Sequence, residues 1–429
     1  MIIMRKNVFN KNLISFIQKS SCSFTCTKEI INRLSSLDFK ELNESDNWKN
    51  IPNKFFIVRN DTSIIAIELP KNKTDVFSII TTHLDTPALL LKPSAAYIKD
   101  NYLKYNVMPY GGLLNMGWLD HPLSIAGRII IKEKNVLKRK IVDYRSPLLI
   151  VPSVAIHQND KANSNLDLNM QIDLQPIMSI SNNKGDWFKL LNKLDENNII
   201  DYDLYAYNPV KPVLIGKDQE LLVSPRIDNI TSVFAALESF INSKSSFIKV
   251  FCAFNNEEIG SLTEEGADSN FLIDILKRIC ARANIDLASS LAKSFIISSD
   301  NTHAIHPNRA EYADDTGVSY LNQGFTIVKE EASTTNALSA SIIKEICNKY
   351  KIKYQIATAK NDLTGGSTLS GISLRHVSIL SIDVGISQLS MHSSIETCSI
   401  NDVYELYKMM YYFYKTKIIR KKETIFLEY

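Results

Sequence analysis

Glu257 and Glu258 stand side by side in Asn255-Asn256-Glu257-Glu258-Ile259-Gly260-Ser261, just past the apolar run Phe247-Ile248-Lys249-Val250-Phe251-Cys252-Ala253-Phe254. The β-branched and aromatic content of that run predicts a buried strand. Neighbouring side chains at the end of extended backbone point to different sides. One carboxylate can therefore hold a cation while the other faces the space beside it. A hydrolytic metal site needs that pair: a ligand, and a general base next to the metal-bound water. Taken alone, a Glu-Glu pair reads more simply as a solvated acidic turn, because glutamate is seldom buried.

Four other residues with ligand chemistry hold comparable positions. His83 follows the strand-like run Val76–Thr82 and leads into Leu84-Asp85-Thr86-Pro87. His and Asp two apart in extended backbone share a face, and a carboxylate so placed suits the ring N–H that a metal-bound imidazole leaves over. A satisfied core histidine is the competing reading. Asp228 lies in Ser224-Pro225-Arg226-Ile227-Asp228-Asn229, where a helix opens with Ile230, Val233, Phe234, Leu237 and Ile241 at helical spacing. The plain reading of Asp228 is an N-cap. Asp300 follows the strand-like run 294–299, and His392 follows the run 376–385 within Gln388-Leu389-Ser390-Met391-His392-Ser393.

The joint pattern outweighs its members. His83, Asp228, Glu258, Asp300 and His392 each sit just past a β-like run or in the turn after it. In α/β sheets with helical crossovers, that edge is where ligands bind. Two imidazoles and three carboxylates suit a pair of Zn²⁺ ions, with one carboxylate bridging metals about 3.5–4 Å apart. The turn Asp362-Leu363-Thr364-Gly365-Gly366-Ser367-Thr368 is Gly-rich but too short, and without the Lys, for a P-loop. No Ser-His-Asp elbow competes.

These residues must be carried by an α/β framework. The spacing predicts helices over 12–35, 270–292, 336–350 and from Asn401 onward, and a hairpin around Asn60-Asp61. From Pro93 to about Leu222 the pattern changes to short alternating segments such as Ile129-Ile130-Ile131 and Leu148-Leu149-Ile150-Val151, with few metal-ligand residues. We read 93–222 as an inserted, mainly β domain interrupting a catalytic domain formed by 1–92 and 223–429. His121 precedes Pro122 and reads as a surface turn residue; His157 reads equally as a core, an interface or a functional histidine. The chain of 429 residues is long for one compact domain, which agrees with the division.

A net charge of +3, with 22% charged residues, gives a balanced surface and no reason to expect a nucleic-acid or anionic-membrane partner. The basic run Lys415–Lys422 reads as a solvated helix face or tail. No apolar stretch reaches the length of a spanning helix, and the N-terminus lacks the apolar region of a secretory signal. Cysteines at 22, 26, 252, 280, 347 and 398 include only one close pair, so free buried thiols in a reducing, cytoplasmic-type compartment are expected.

In order along the chain, a series of segments resembles the aspartyl aminopeptidase family of co-catalytic zinc exopeptidases. The segments are Thr82-His83-Leu84-Asp85-Thr86-Pro87, Tyr110-Gly111-Gly112 through Trp118-Leu119-Asp120 to Ala126-Gly127-Arg128, and Ala155-Ile156-His157. They continue with Ser224–Asn229, Asn256–Ser261, Ser299-Asp300 through His303 to His306-Pro307-Asn308, Gly366-Ser367-Thr368 and Gln388–Ser393. The resemblance covers nearly the whole chain, including 16–61.

It implies an α/β catalytic domain interrupted by a dimerisation domain, and removal of N-terminal Asp or Glu residues from peptides by a zinc-bound hydroxide. His83, Asp228 and Asp300 would hold one zinc and Asp228, Glu258 and His392 the other, with the looser site open to Mn²⁺ or Co²⁺. Asp85 would steady His83, and Glu257 would be the general base. Members of the family form tetrahedral dodecamers in which a neighbouring subunit's imidazole enters the active site, and His157 is the matching position. Lys329, in Gly324–Asn336, matches the lysine that the family places near the acidic side chain of the substrate. The chain has Ile395 where the family places an Arg, and lacks the family's Tyr after Lys329. Two other readings stay open: a non-catalytic assembly or carrier protein that keeps the shell, and a dinuclear zinc amidohydrolase acting on acylated amino acids.

Overall fold

The computed structural model describes residues 3–164, 166–180, 198–362 and 375–429. Its main sheet has nine strands, in the order Lys40–Glu41, Lys54–Arg59, Ser63–Glu68, Ile248–Phe254, Phe77–His83, Phe295–Ser299, Leu380–Gly385, Phe325–Val328 and Tyr354–Ala357. Ile248–Phe254, Phe77–His83, Phe295–Ser299 and Leu380–Gly385 run parallel at its centre. Every residue of the first three is buried, as expected of strands covered on both faces. Their side chains alternate between two cores. Phe251 and Ala253 pack under the helices Lys6–Lys19, Ile227–Asn242, Ala337–Tyr350 and Ile400–Lys415, while Val250, Cys252 and Phe254 pack under Phe271–Ala283.

The expected hairpin at Asn60-Asp61 joins Lys54–Arg59 to Ser63–Glu68. The single helix expected over 270–292 is two, Phe271–Ala283 and Leu287–Lys293, because Asn284 takes a left-handed conformation that ends the first. Of the basic run near the end, only Lys415 belongs to a helix, Ile400–Lys415. Most of the rest forms the first strand of a hairpin, Lys417–Lys421 with Thr424–Glu428, whose Ile418 is buried against the core of the main sheet. The six cysteines are buried and unpaired.

Between Ala88 and Tyr207 the chain builds a separate antiparallel sheet. Ile199–Tyr207 pairs with both Ala88–Lys99 and Pro122–Glu133, which closes the strands into a barrel around Leu89, Tyr105, Val107, Leu123, Ile125, Ile129 and Leu204. The expected boundaries at 93 and 222 fall inside strands. Ala88–Lys99 is continuous through 93, and Leu221–Ser224 pairs with Glu396–Ser399 in a smaller sheet that also holds Ser387–Leu389 and Thr302–His303. Among the described residues, no helix is long and apolar enough to cross a membrane.

Candidate metal centre

The parallel strands of the main sheet deliver their ligand-type residues to one edge. His83 is the last residue of Phe77–His83, Asp300 follows Phe295–Ser299, and the Glu257-Glu258 turn follows Ile248–Phe254. Beyond Leu380–Gly385 the chain makes the short strand Ser387–Leu389, and His392 lies in the turn after it. Asp228 comes from the opening of the helix Ile227–Asn242. It does not act as an N-cap: its Oδ1 has no hydrogen-bond partner, and its two oxygens face imidazoles instead of the first N–H groups of the helix.

Asp228 faces both imidazoles. Its Oδ1 lies 3.5 Å from His83 Nε2 and its Oδ2 lies 3.4 Å from His392 Nε2. Asp300 Oδ1 stands 3.1 Å from His83 Nε2, and Glu258 Oε2 stands 3.6 Å from His392 Nε2. The ligand atoms of His83, Asp228 and Asp300 all fall within 4.8 Å of one another, and so do those of Asp228, Glu258 and His392. Glu257 groups with His83 and Glu258 but with neither Asp228 nor Asp300. His83, Asp228 and Glu258 have almost no side-chain exposure, whereas His392 is 30% exposed, so solvent reaches the centre past His392.

The residues fit a divalent cation pair. Asp228 Oδ1 and Glu258 Oε1 are buried without a hydrogen-bond partner, a costly state that an ion among them would relieve. Nitrogen and carboxylate oxygen are the donors zinc takes. The electrostatics agree. Burial would lower the His83 imidazole, but Asp300, Asp228 and Asp85 hold it well above its ordinary range. Burial would raise Asp228, but His392 and His83 hold it below the usual carboxylate range. Burial, then the charge of Asp228, pushes Glu258 well up. Burial raises Glu257 to about 8, with His83 opposing and Asp300, Asp85 and Asp228 adding. Carboxylates crowded this closely repel one another until a cation lies between them.

His83 Nδ1 donates to the main-chain carbonyl of Asp85 at 3.1 Å, with the Asp85 carboxylate a further neighbour at 3.5 Å. The two oxygens of that carboxylate accept the backbone N–H groups of Glu257 at 3.2 Å and Glu258 at 3.1 Å, and Tyr110 donates to it at 2.9 Å. Glu396 is a residue that sequence reasoning missed. It accepts His392 N–H at 2.9 Å through one oxygen and Asp228 N–H at 3.1 Å through the other. A buried carboxylate that binds backbone amides carries no motif; its only signal was the place four residues after His392. His303 was also left without a role. It lies close enough to feel the charges of Asp228 and His392, and burial lowers its pKa.

His157 and Lys329 stand outside this network. His157 is exposed in a turn of the barrel domain. Lys329 is exposed just past Phe325–Val328, which runs antiparallel to Leu380–Gly385 with Val328 opposite Asp383. That direction takes Lys329 away from the ligand edge. Gly366-Ser367-Thr368 lies outside the described residues.

Residues 16–414 match the family model described as aminopeptidase I zinc metalloprotease (M18). The probable M18 family aminopeptidase 2 of Clostridium novyi (strain NT) is 37% identical over 426 residues, 95% of this chain and 98% of the relative. A chain in the cryo-EM structure of the Ape4 and Nbr1 complex is 29% identical with a TM-score of 0.92, over 95% of this chain and 86% of that one. A chain of the S. cerevisiae mApe1 dodecamer is 25% identical with a TM-score of 0.83, over 95% and 96%.

Proposed function

The chain belongs to the aminopeptidase I zinc metalloprotease (M18) family and is a zinc metalloaminopeptidase; we propose that it removes acidic N-terminal residues from peptides, with Glu257 as general base and Asp228 bridging a pair of zinc ions. The observation that carries this reading is the carboxylate of Asp228, with one oxygen toward His83 and the other toward His392. His83, Asp228 and Asp300 would hold one ion and Asp228, Glu258 and His392 the other, the latter site being the looser and open to Mn²⁺ or Co²⁺. When bound, the ions supply Lewis acidity toward the scissile carbonyl and toward water.

The chain's own residues do the rest. Glu257 stands beside both ligand groups without belonging to either, so its carboxylate is available to take a proton from the attacking water and give it to the leaving amine. Asp85 orients Glu257 and Glu258 through their backbone amides and His83 through its ring. Glu396 fixes Asp228 and His392 in the same way. An acidic substrate side chain needs a compensating cation. The candidates are Lys329 and His157, both of which must reach the substrate from exposed positions.

The likeness to a chain of the mApe1 dodecamer supports a homo-oligomer, and the barrel is the part of this chain that would make its dimer contact. It leaves Val136, Leu137, Val154, Ile156 and Ile172 exposed. His157 is next to Ile156, so dimerisation through this surface would bring it toward a neighbouring subunit.

A panel of Asp-, Glu-, Asn- and Leu-anilides, assayed with added zinc, manganese or cobalt, tests the reading. Hydrolysis with Asp and Glu ahead of Leu is expected. Hydrolysis of acylated amino acids alone would make the protein an amidohydrolase, and no hydrolysis by zinc-loaded protein would make it a scaffold.

A further inference from the structure

The metal centre is held from two sides, and only one belongs to the sheet that carries it. His83 and Asp300 stand at the ends of the neighbouring parallel strands Phe77–His83 and Phe295–Ser299. Glu258, just past the parallel strand Ile248–Phe254, and His392, in the turn after Ser387–Leu389, are in addition touched from the side of the barrel domain. Its strand Tyr102–Tyr110 ends at the centre, and residues 111–118 cross beside it.

Gly111 takes a positive φ of 77°, and a Cβ there would stand 3.0 Å from Glu258 Oε2 and 3.1 Å from Glu258 Cβ. A side chain there would press on that ligand and strain the left-handed backbone. The carbonyl of Gly112 accepts the Nδ1–H of His392 at 2.7 Å, which leaves Nε2 as the bare nitrogen toward Asp228 and Glu258. The carbonyl of His392 is fixed as well, by the N–H of Leu114 at 3.1 Å and the indole N–H of Trp118 at 3.2 Å. Gly117 lies so near Ser393 that a Cβ would stand 2.2 Å from its Oγ, and the Gly117 carbonyl accepts the Ser394 hydroxyl at 2.6 Å. Among the described residues, 111–118 make no hydrogen bond with His83 or Asp300.

We infer that residues 111–118 are a strap that positions Glu258 and His392 and not His83 and Asp300, so that the two halves of the centre loosen separately. The affinity of the Asp228-Glu258-His392 half is then set by how residues 111–118 seat against Glu258 and His392. This rests on the two-ion reading above.

Zinc titration calorimetry on the full chain, with bound zinc counted by atomic absorption, tests it. Wild type should show a pair of binding events. Gly111→Ala and Trp118→Phe should each weaken one event by about 10–100-fold, the usual cost of losing a group that orients a ligand, and leave the other within about twofold. The surviving affinity should match that of His392→Ala and differ from that of His83→Ala. Trp118→Phe keeps an aromatic side chain but removes the indole N–H together with the pyrrole half of a buried ring, so it carries the test if Gly111→Ala fails to fold, provided circular dichroism shows Trp118→Phe itself folded. Folded variants that lose both events together, or neither, overturn the strap while the two-ion reading stands. A wild type that binds a single ion overturns both.

Discussion

The carboxylate of Asp85 accepts the backbone N–H of Glu257 at 3.2 Å. It also takes the N–H of Glu258 and lies against the His83 ring, so one buried group sets the proposed base and a ligand of each ion. Asp85→Asn keeps the shape but turns one acceptor into a donor that faces an N–H. Zinc affinity should fall by about 10–100-fold, and kcat should fall further than KM rises. Zinc dialysis and steady-state kinetics check this. Unchanged values would make Asp85 an ordinary core residue.

The cluster of His83, Asp228, Glu258, Asp300 and His392 was legible in the sequence chiefly because His83, Glu258 and Asp300 end or directly follow buried parallel strands. Such strands read as continuous apolar runs, so a His or Asp just past one stands out. What the runs could not show is pairing across long separations. The strand Ala88–Lys99 begins before the expected boundary, and Leu221–Ser224 finds Glu396–Ser399 far along the chain. Nothing local marks either. Asp228 looked like an N-cap because its place before a helical pattern is the same in both roles; what separates them is that its carboxylate faces His83 and His392. The hairpin Lys417–Lys421 with Thr424–Glu428 was hidden by lysines, which suit a solvated helix and an exposed ribbon alike. Tyr110 and Glu396 act through backbone amides and neighbouring carboxylates, and such contacts leave no spacing to read.

His157 is the proposed contribution of a neighbouring subunit. His157→Ala should lower turnover by about 10²-fold, the scale of losing one donor aimed at the reacting group, with zinc content unchanged. Subunits of this variant exchanged with those of Glu257→Gln should recover part of the activity. A mixed oligomer offers sites that keep Glu257 in one chain and His157 from the other. Verified mixed oligomers with no recovery would return His157 to a structural role in its own subunit.

Lys329 carries the proposed acidic preference, although its strand leads away from the ligand edge. Lys329→Met should reduce Asp- and Glu-anilide hydrolysis by about 10²-fold relative to Leu-anilide, in line with truncating one partner of a desolvated charge pair. An equal loss on all substrates would assign the preference elsewhere. A wild type that prefers Leu would show that acidic specificity did not come with the metal site.

Glu257 is the proposed proton carrier, placed beside the two ligand groups that share Asp228. The most direct measurement is turnover of Glu257→Gln on the best substrate of the wild type, with zinc per chain determined on the same sample. Gln keeps the shape and cannot accept the proton, so turnover should fall by about 10²–10⁴-fold while zinc stays bound. Near-wild-type turnover at full zinc content would contradict the mechanism.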